Sequence, residues 1–244
     1  MQWRDEGLVI GVRGHGETSV ILELMTSEHG RHLGLVRGGK GSALRAVLQP
    51  GNQVVANWRA RLDSQLGAYL VEPLQSRAAR LIEHGYALHG VAFLCALLRL
   101  LPERDPHAEI HEMARLIADR LGSKDHAPAL LARFEIAMLG ALGFGLDLSA
   151  CALTGAREDL AYVSPKSGRA VSREAGEPWR ERLLRYPAFL QGGDFAALPD
   201  EAELDAAFRL TGHFLNRDVF APRGVPMPPA RGFYLKAVMT ARAA

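Results

Sequence analysis

Leu8-Val9-Ile10-Gly11-Val12-Arg13-Gly14-His15-Gly16-Glu17-Thr18-Ser19-Val20-Ile21-Leu22-Glu23-Leu24-Met25 is the stretch that decides the fold of this chain. Leu8, Ile10 and Val12 alternate with Val9, Gly11 and Arg13. After the turn-like Gly14-His15-Gly16, Val20, Leu22 and Leu24 alternate with Ile21, Glu23 and Met25. A two-residue period puts successive side chains on opposite faces of a strand, so this is a pair of strands and not an amphipathic helix. Working outward, Ser27-Glu28-His29-Gly30 marks a further turn, and residues 31–37 read as a third strand. Residues 38–51 read as a glycine-bearing loop. In the fourth strand Val54, Ala56, Trp58 and Ala60 form one face, while Val55, Asn57, Arg59 and Arg61 share the other. A fifth strand, 67–72, ends before Pro73. Five short strands at this spacing predict a small closed barrel.

Beyond residue 75 the period lengthens to three and four. Leu81, Ile82, Leu88, Val91, Leu94, Cys95 and Leu98 predict helix over 76–100, ended by Pro102. Asp105-Pro106 predicts a helix start, Asp as N-cap and Pro at the first helical position, running to Leu121-Gly122. A further helix is expected over 128–142, stopping at Gly143. Residues 147–178 read as irregular, with Gly155, Pro165, Gly168 and Gly176, and helical pattern resumes at 179–184 and 200–215. Four prolines between 221 and 229 predict an extended connector before a last short helix. The expected class is therefore α+β: a barrel over 1–75, then a mostly helical domain over 76–244.

The bulk numbers set bounds. A chain of 244 residues buries a substantial core, and 48% apolar with 23% charged residues is ordinary for a globular protein. Met1-Gln2-Trp3-Arg4-Asp5-Glu6 lacks the profile of a secretory signal. The most apolar stretch, 86–98, is too short to span a bilayer. Two cysteines, Cys95 and Cys151, imply no disulfide framework. The expectation is a cytoplasmic protein.

Charge is where function shows. Between Gly30 and Leu62 stand Arg31, Arg37, Lys40, Arg45, Arg59 and Arg61 and no acid, in a chain whose net charge is only +2. A cationic, strand-rich surface of this kind meets phosphate, and Lys40 and Arg45 sit beside Gly38, Gly39 and Gly41, where backbone approaches a phosphate chain closely. Arg59 and Arg61 are expected on one strand face. Trp58 shares the face of Val54 and Ala56 and reads as core; Trp3 and Tyr69 are left as candidate base platforms. Gly34-Leu35-Val36-Arg37-Gly38-Gly39-Lys40-Gly41 superficially matches a phosphate loop, but Gly41 cannot supply the hydroxyl that ligates magnesium. His107 and His111, one turn apart, belong to no His-Glu-x-x-His signature and read as a surface face. No nucleophile elbow occurs, and neither cysteine has a base nearby in sequence. Cys151 and Thr154, then Ser172 and Ala175, stand at the spacing of two Cys-x-x-Cys pairs with one thiol kept. One thiolate cannot hold a structural zinc, so no metal or other cofactor is expected.

Taken in order, several motifs carry a resemblance: Asp5-Glu6-Gly7, His15-Gly16-Glu17-Thr18-Ser19, Glu28-His29-Gly30-Arg31, Val36-Arg37-Gly38-Gly39-Lys40 and Leu48-Gln49-Pro50-Gly51. They continue with Leu100-Leu101-Pro102-Glu103, Arg133-Phe134-Glu135, Leu142-Gly143-Phe144-Gly145-Leu146 and Tyr162-Val163-Ser164-Pro165. Through most of its length the chain resembles the RecO family of bacterial recombination mediators. That resemblance implies an N-terminal OB-fold barrel, a helical body and, in many members, a four-cysteine zinc ribbon; here the ribbon is degenerate over about 147–178 and metal-free. It also implies binding of single- and double-stranded DNA, annealing of complementary strands, and no bond made or broken. The implied partners are RecR and the C-terminal tail of single-stranded DNA-binding protein, so that RecA is loaded on coated strands, with a nucleoid-associated, cytoplasmic location and no membrane. The expected DNA-binding residues are Arg31, Arg37, Lys40, Arg45, Arg59 and Arg61, with Arg13 beside them. An acidic, apolar tail would want apolar residues rimmed by arginine, such as Leu94, Leu98, Arg99, Arg115 and Arg133. An RNA-binding barrel and a scaffold of repair complexes are the alternatives.

Overall fold

In the computed structural model, which describes residues 1–192 and 198–243, the alternating stretches form β1 (Gln2–His15), β2 (Ser19–Thr26), β3 (Gly30–Val36), β4 (Gln53–Arg59) and β5 (Ala68–Gln75). They close in the order β1-β2-β3-β5-β4. β1 pairs antiparallel with both β2 and β4, and β5 with β4, while β3 and β5 meet in parallel at a single pair, Leu35 and Ala68. The barrel is thus tightly laddered on four sides and thinly closed on the fifth. Its interior is the face read from sequence: Val9, Leu22, Leu24, Val54, Ala56 and Trp58 are buried, and the Trp58 indole donates to the Leu66 carbonyl at 3.0 Å.

Four features of this region differ from the sequence reading. β5 does not end before Pro73 but runs through it to Gln75, pairing Pro73 with Val54. β1 begins at Gln2, because Trp3 to Gly7 pair residue for residue with Trp58 to Val54. The expected loop 38–51 holds a short helix, α1 (Ser42–Val47), which presents Leu44 and Val47 to the barrel core. β4 ends at Arg59, so Arg61 lies beyond the strand and does not share a strand face with it.

The barrel belongs to a compact unit made of residues 1–122 and 228–238. This unit also contains α2 (Ala78–Ile82), α3 (Gly85–Leu98), α4 (Ala108–Arg120) and the first part of α8 (Pro229–Ala243). The helix after Pro102 starts at Ala108 with His107 as N-cap, not at Asp105. Residues 101–105 are instead drawn alongside β3: Glu103 bridges Arg31 in parallel, and the Arg104 backbone N–H donates to the Arg31 carbonyl at 2.8 Å. His111, expected at the surface, is buried on α4, which packs on β1 and β2.

The second unit, residues 123–227 and 239–244, holds α5 (Ala127–Ala141), a three-stranded sheet and α7 (Glu201–Phe214). α7 starts with a capping box, in which the Glu203 backbone N–H donates to Asp200 at 2.7 Å. The stretch expected to be irregular contains β6 (Leu160–Val163), β7 (Ala170–Ser172) and the short α6 (Arg173–Gly176); β8 (Leu184–Arg185) adds to β6 in the order β7-β6-β8. Across the two pairs of positions spaced as Cys-x-x-Cys, Ser172 Oγ donates to Cys151 Sγ at 3.4 Å. Burial pushes that thiol up, but hydrogen bonds from Ser172, Thr154 and the Leu153 backbone outweigh it and bring it down to about 6. One thiol, two hydroxyls and an alanine do not make a zinc site. Among the described residues no three His, Cys, Asp or Glu side chains converge on a metal position, and no helix is long and apolar enough to cross a membrane.

One buried group links fold to pH. His32 on β3 is 2% exposed, and its Nδ1 meets the Tyr69 hydroxyl at 2.9 Å inside the barrel. Burial, with the charge of Arg104, lowers its pKa from 6.5 to about 4. The unfolded chain therefore binds this proton at a pH where the folded one does not. Stability from His32 is complete above pH 6.5 and is lost as pH falls toward 4, about 2 kcal/mol by pH 5. Urea unfolding of the wild type and of His32→Gln between pH 7.5 and 5 checks this. The wild type should lose stability more steeply, and parallel curves would refute the assignment.

Candidate nucleic-acid interface

Barrels of this size usually bind oligonucleotides across the outer face of strands two and three. Here that face is taken by the chain itself. Of its outward residues, Ile21 is 7% exposed and Met25 fully buried. Glu23 receives Arg31 at 2.6 Å and Arg99 at 2.8 Å, and Arg99 also donates to the Ile10 carbonyl. The Arg104 guanidinium donates to the backbone carbonyls of Asp63 and Gln65, tying down the β4–β5 loop.

The six basic residues consequently separate. Arg31 is committed: it pairs with Glu23, reaches Glu103 at 3.5 Å and donates to the Leu101 carbonyl at 2.9 Å. Its segment is free of acid in sequence but not in space. Arg37, Lys40, Arg45, Arg59 and Arg61 are all exposed. Lys40 Nζ donates to the Gly16 carbonyl at 2.7 Å, which sets its charge beside the β1–β2 turn. Arg45 stands on α1, and among the described residues the Arg59 side chain makes one hydrogen bond, to the Gln2 amide oxygen at 3.2 Å.

Arg37 and Arg59 come together at one groove of about 860 Å³. It lies where β3 and β5 barely pair, and Leu44, Asn57 and Leu70 also line it. A third arginine, Arg4, lines the same groove; it sits opposite Asn57 on β1 and touches Glu72 only at 3.5 Å, both side chains more than half exposed. Arg4 lies outside the acid-free segment in which the sequence concentrates its cations, and Asp5 and Glu6 follow it. The signal was the β1 alternation itself, which extends back to Gln2 and points Arg4 to the face opposite Trp3.

The aromatic candidates, which line this groove, are engaged with other rings of the barrel. The Trp3 ring stacks on His29 at 4.1 Å and lies near-parallel to Trp58 at 5.7 Å. Tyr69 is 5% exposed and bound to His32. What the groove offers is an arginine rim over an apolar lining of Leu44 and Leu70 with the rings of Trp3, Trp58 and Tyr69, which are already packed on one another.

The helical tail-binding residues suggested by sequence are also redistributed. Leu94 and Leu98 are fully buried, Arg115 is paired with Glu112 at 2.5 Å, and Arg133, in the second unit, donates to the Phe189 carbonyl. An apolar groove does exist in the first unit, about 350 Å³, where exposed Ile82 and Leu88 flank Val91 and Arg99.

Comparison with known proteins agrees with this architecture. The family model described as Recombination protein O N terminal matches residues 1–77, and Recombination protein O C terminal matches 83–225. A DNA repair protein RecO from Chelativorans sp. is 58% identical over 239 residues, covering 98% of this chain and 96% of the relative. That of Methylocella silvestris is 61% identical over 235 residues, covering 96% and 95%. With two family models spanning the barrel and the helices, and relatives of this identity matched nearly end to end, the chain belongs to the RecO family of DNA repair proteins.

Proposed function

We propose that the protein is a non-enzymatic recombination mediator that binds single- and double-stranded DNA through the exposed cations of its barrel and anneals complementary strands. The observation that carries this is the set Arg37, Lys40, Arg45, Arg59 and Arg61: all exposed, all on one small barrel, with Arg31 removed from the set by its ion pairs. Annealing requires neutralising two phosphate backbones without reading their bases. Surface guanidinium and ammonium groups on the barrel do that, and the committed aromatics leave the bases free to pair.

On this reading the barrel, residues 1–75, holds DNA, and residues 76–244 carry partner contacts. These are RecR, and the acidic, apolar tail of single-stranded DNA-binding protein, for which the Ile82–Leu88–Arg99 groove is the best-formed seat. Together they would place RecA on coated strands in the cytoplasm, at the nucleoid. The experiment is fluorescence anisotropy with a labelled oligonucleotide across a salt titration, followed by annealing of complementary strands. Binding should weaken linearly in log–log salt, and annealing should be fastest at low salt. A salt-independent affinity, or tighter binding to RNA of equal length, would replace this reading with a scaffold or an RNA-binding protein.

A further inference from the structure

We infer that the groove between α1 and β5 is a single-strand grip. It holds about two nucleotides, with their phosphates on Arg4, Arg37 and Arg59 and their sugar and base edges on Leu44 and Leu70. This deepens the DNA-binding reading and rests on it.

Three observations converge. The usual ligand face of the barrel is covered by the chain's own helices and by Glu23 with its two arginines, so a strand cannot lie there. At the single β3–β5 pair, by contrast, three exposed arginines line one groove together with exposed apolar surface. Leu70 is 68% exposed on the outer face of β5, in register with Asn57 and, across β4, with Arg4. An isolated surface leucine needs no explanation, but one that shares a concave surface with three arginines forms a place for a charged chain with apolar plates.

A peptide added as a strand to β5 is the rival occupant. The edge is built against it: Pro73 has no N–H to donate, and Glu72 puts a carboxylate on the same strand. Three cations facing one loosely held carboxylate favour phosphates instead. Duplex DNA fits the rim but not the floor, because a paired base must first leave its stack. The groove therefore discriminates in favour of single strands, while the outlying Lys40, Arg45 and Arg61 serve either form. A grip this short fixes a strand at one point and leaves its remaining bases open for pairing.

The test compares a fluorescent oligothymidine with an abasic strand of equal length and charge, using the full-length protein and the variant Leu70→Ser, whose exposed position keeps the fold intact. The wild type should bind the thymidine strand about tenfold more tightly, the effect of burying roughly 50 Å² of apolar surface. Leu70→Ser should abolish that preference with the salt slope unchanged. Equal binding of both strands by the wild type, or a preference surviving in Leu70→Ser, overturns the grip while salt-dependent DNA binding stands. Binding of a labelled acidic apolar peptide that the thymidine strand does not displace and that Leu70→Ser abolishes also overturns it and assigns the groove to peptide. Absence of any DNA binding removes the broader reading instead.

Discussion

Replacing Arg77 with methionine should lower the unfolding free energy by about 3–5 kcal/mol, the cost of breaking a buried ion pair from one side. The Arg77 side chain is 0% exposed. Its Nε donates to Asp119 at 2.7 Å, Nη1 to the Gly51 carbonyl at 3.2 Å, and Nη2 to the Gln53 and Gln75 side chains at 3.1 and 2.7 Å. Its backbone N–H donates to Asn52 at 2.7 Å. One guanidinium thus joins the β4 entry, the end of β5 and α4, all within the first unit. Burial pushes the Asp119 carboxyl up, but the hydrogen bond and charge of Arg77, with the Gln75 hydrogen bond and the charge of Arg115, outweigh it and hold the group below its ordinary value. Methionine fills the stem's volume and leaves the Gly51 carbonyl and two glutamine amides without their donor. Asp119 is 25% exposed and retains Arg80 and Arg115 within 4 Å, so its own penalty is partly relieved and the lower end of the range is expected. Urea denaturation of wild type, Arg77→Met and Arg77→Met/Asp119→Leu measures this. The double variant should recover part of the loss, and a single-variant loss under about 1 kcal/mol would show that the network is solvated in solution.

The barrel was legible in sequence because its strands are half-buried, so burial and period coincide. Val54, Ala56 and Trp58 face in and Asn57 and Arg59 face out, as the alternation predicts. β1 was read six residues short because its first turn of residues, Gln2 to Glu6, alternates between exposed and half-buried rather than exposed and buried. α1 was missed for a different reason: six residues, Ser42–Val47, are too few to show a helical period, and glycines precede them. Asp105-Pro106 is a sound local start signal that lost to tertiary pairing. Glu103 and Arg104 are engaged with β3, which delays the helix to Ala108.

The candidate site was legible only in outline. Sequence shows where cations are concentrated, but an arginine's availability depends on acids that arrive from elsewhere in the chain. Glu23 and Glu103 remove Arg31, and neither lies within the acid-free segment. Conversely, Arg4 joins the groove from outside that segment, because β1 lies beside β4. His111 shows the same limit from the apolar side. Its surroundings in sequence are charged, yet α4 sets it against the barrel, where burial lowers its pKa.

The largest functional effect should come from removing Arg37, Lys40 and Arg59 together. Each is exposed, and none carries an ion pair among the described residues, so alanine at these positions removes charge without breaking the fold's own contacts beyond the Lys40–Gly16 and Arg59–Gln2 hydrogen bonds. If each touches one phosphate of a single strand, the log–log salt slope should fall by about 2 in magnitude, at about 0.7 per contact. Referred to 1 M salt, where counterion release contributes nothing, that slope is a loss of roughly a hundredfold in affinity at 0.1 M. Arg31→Ala is the contrasting variant: its guanidinium already faces Glu23 and Glu103, so it should cost stability and leave the slope almost unchanged. Anisotropy titrations from 0.05 to about 0.3 M salt separate the two behaviours. An unchanged slope in the triple variant, or a slope that falls as far in Arg31→Ala, would move the DNA off this side of the barrel. The contrast is sharper than either measurement alone, because Arg31 and the three exposed cations belong to the same acid-free segment and differ in what the fold has placed against them.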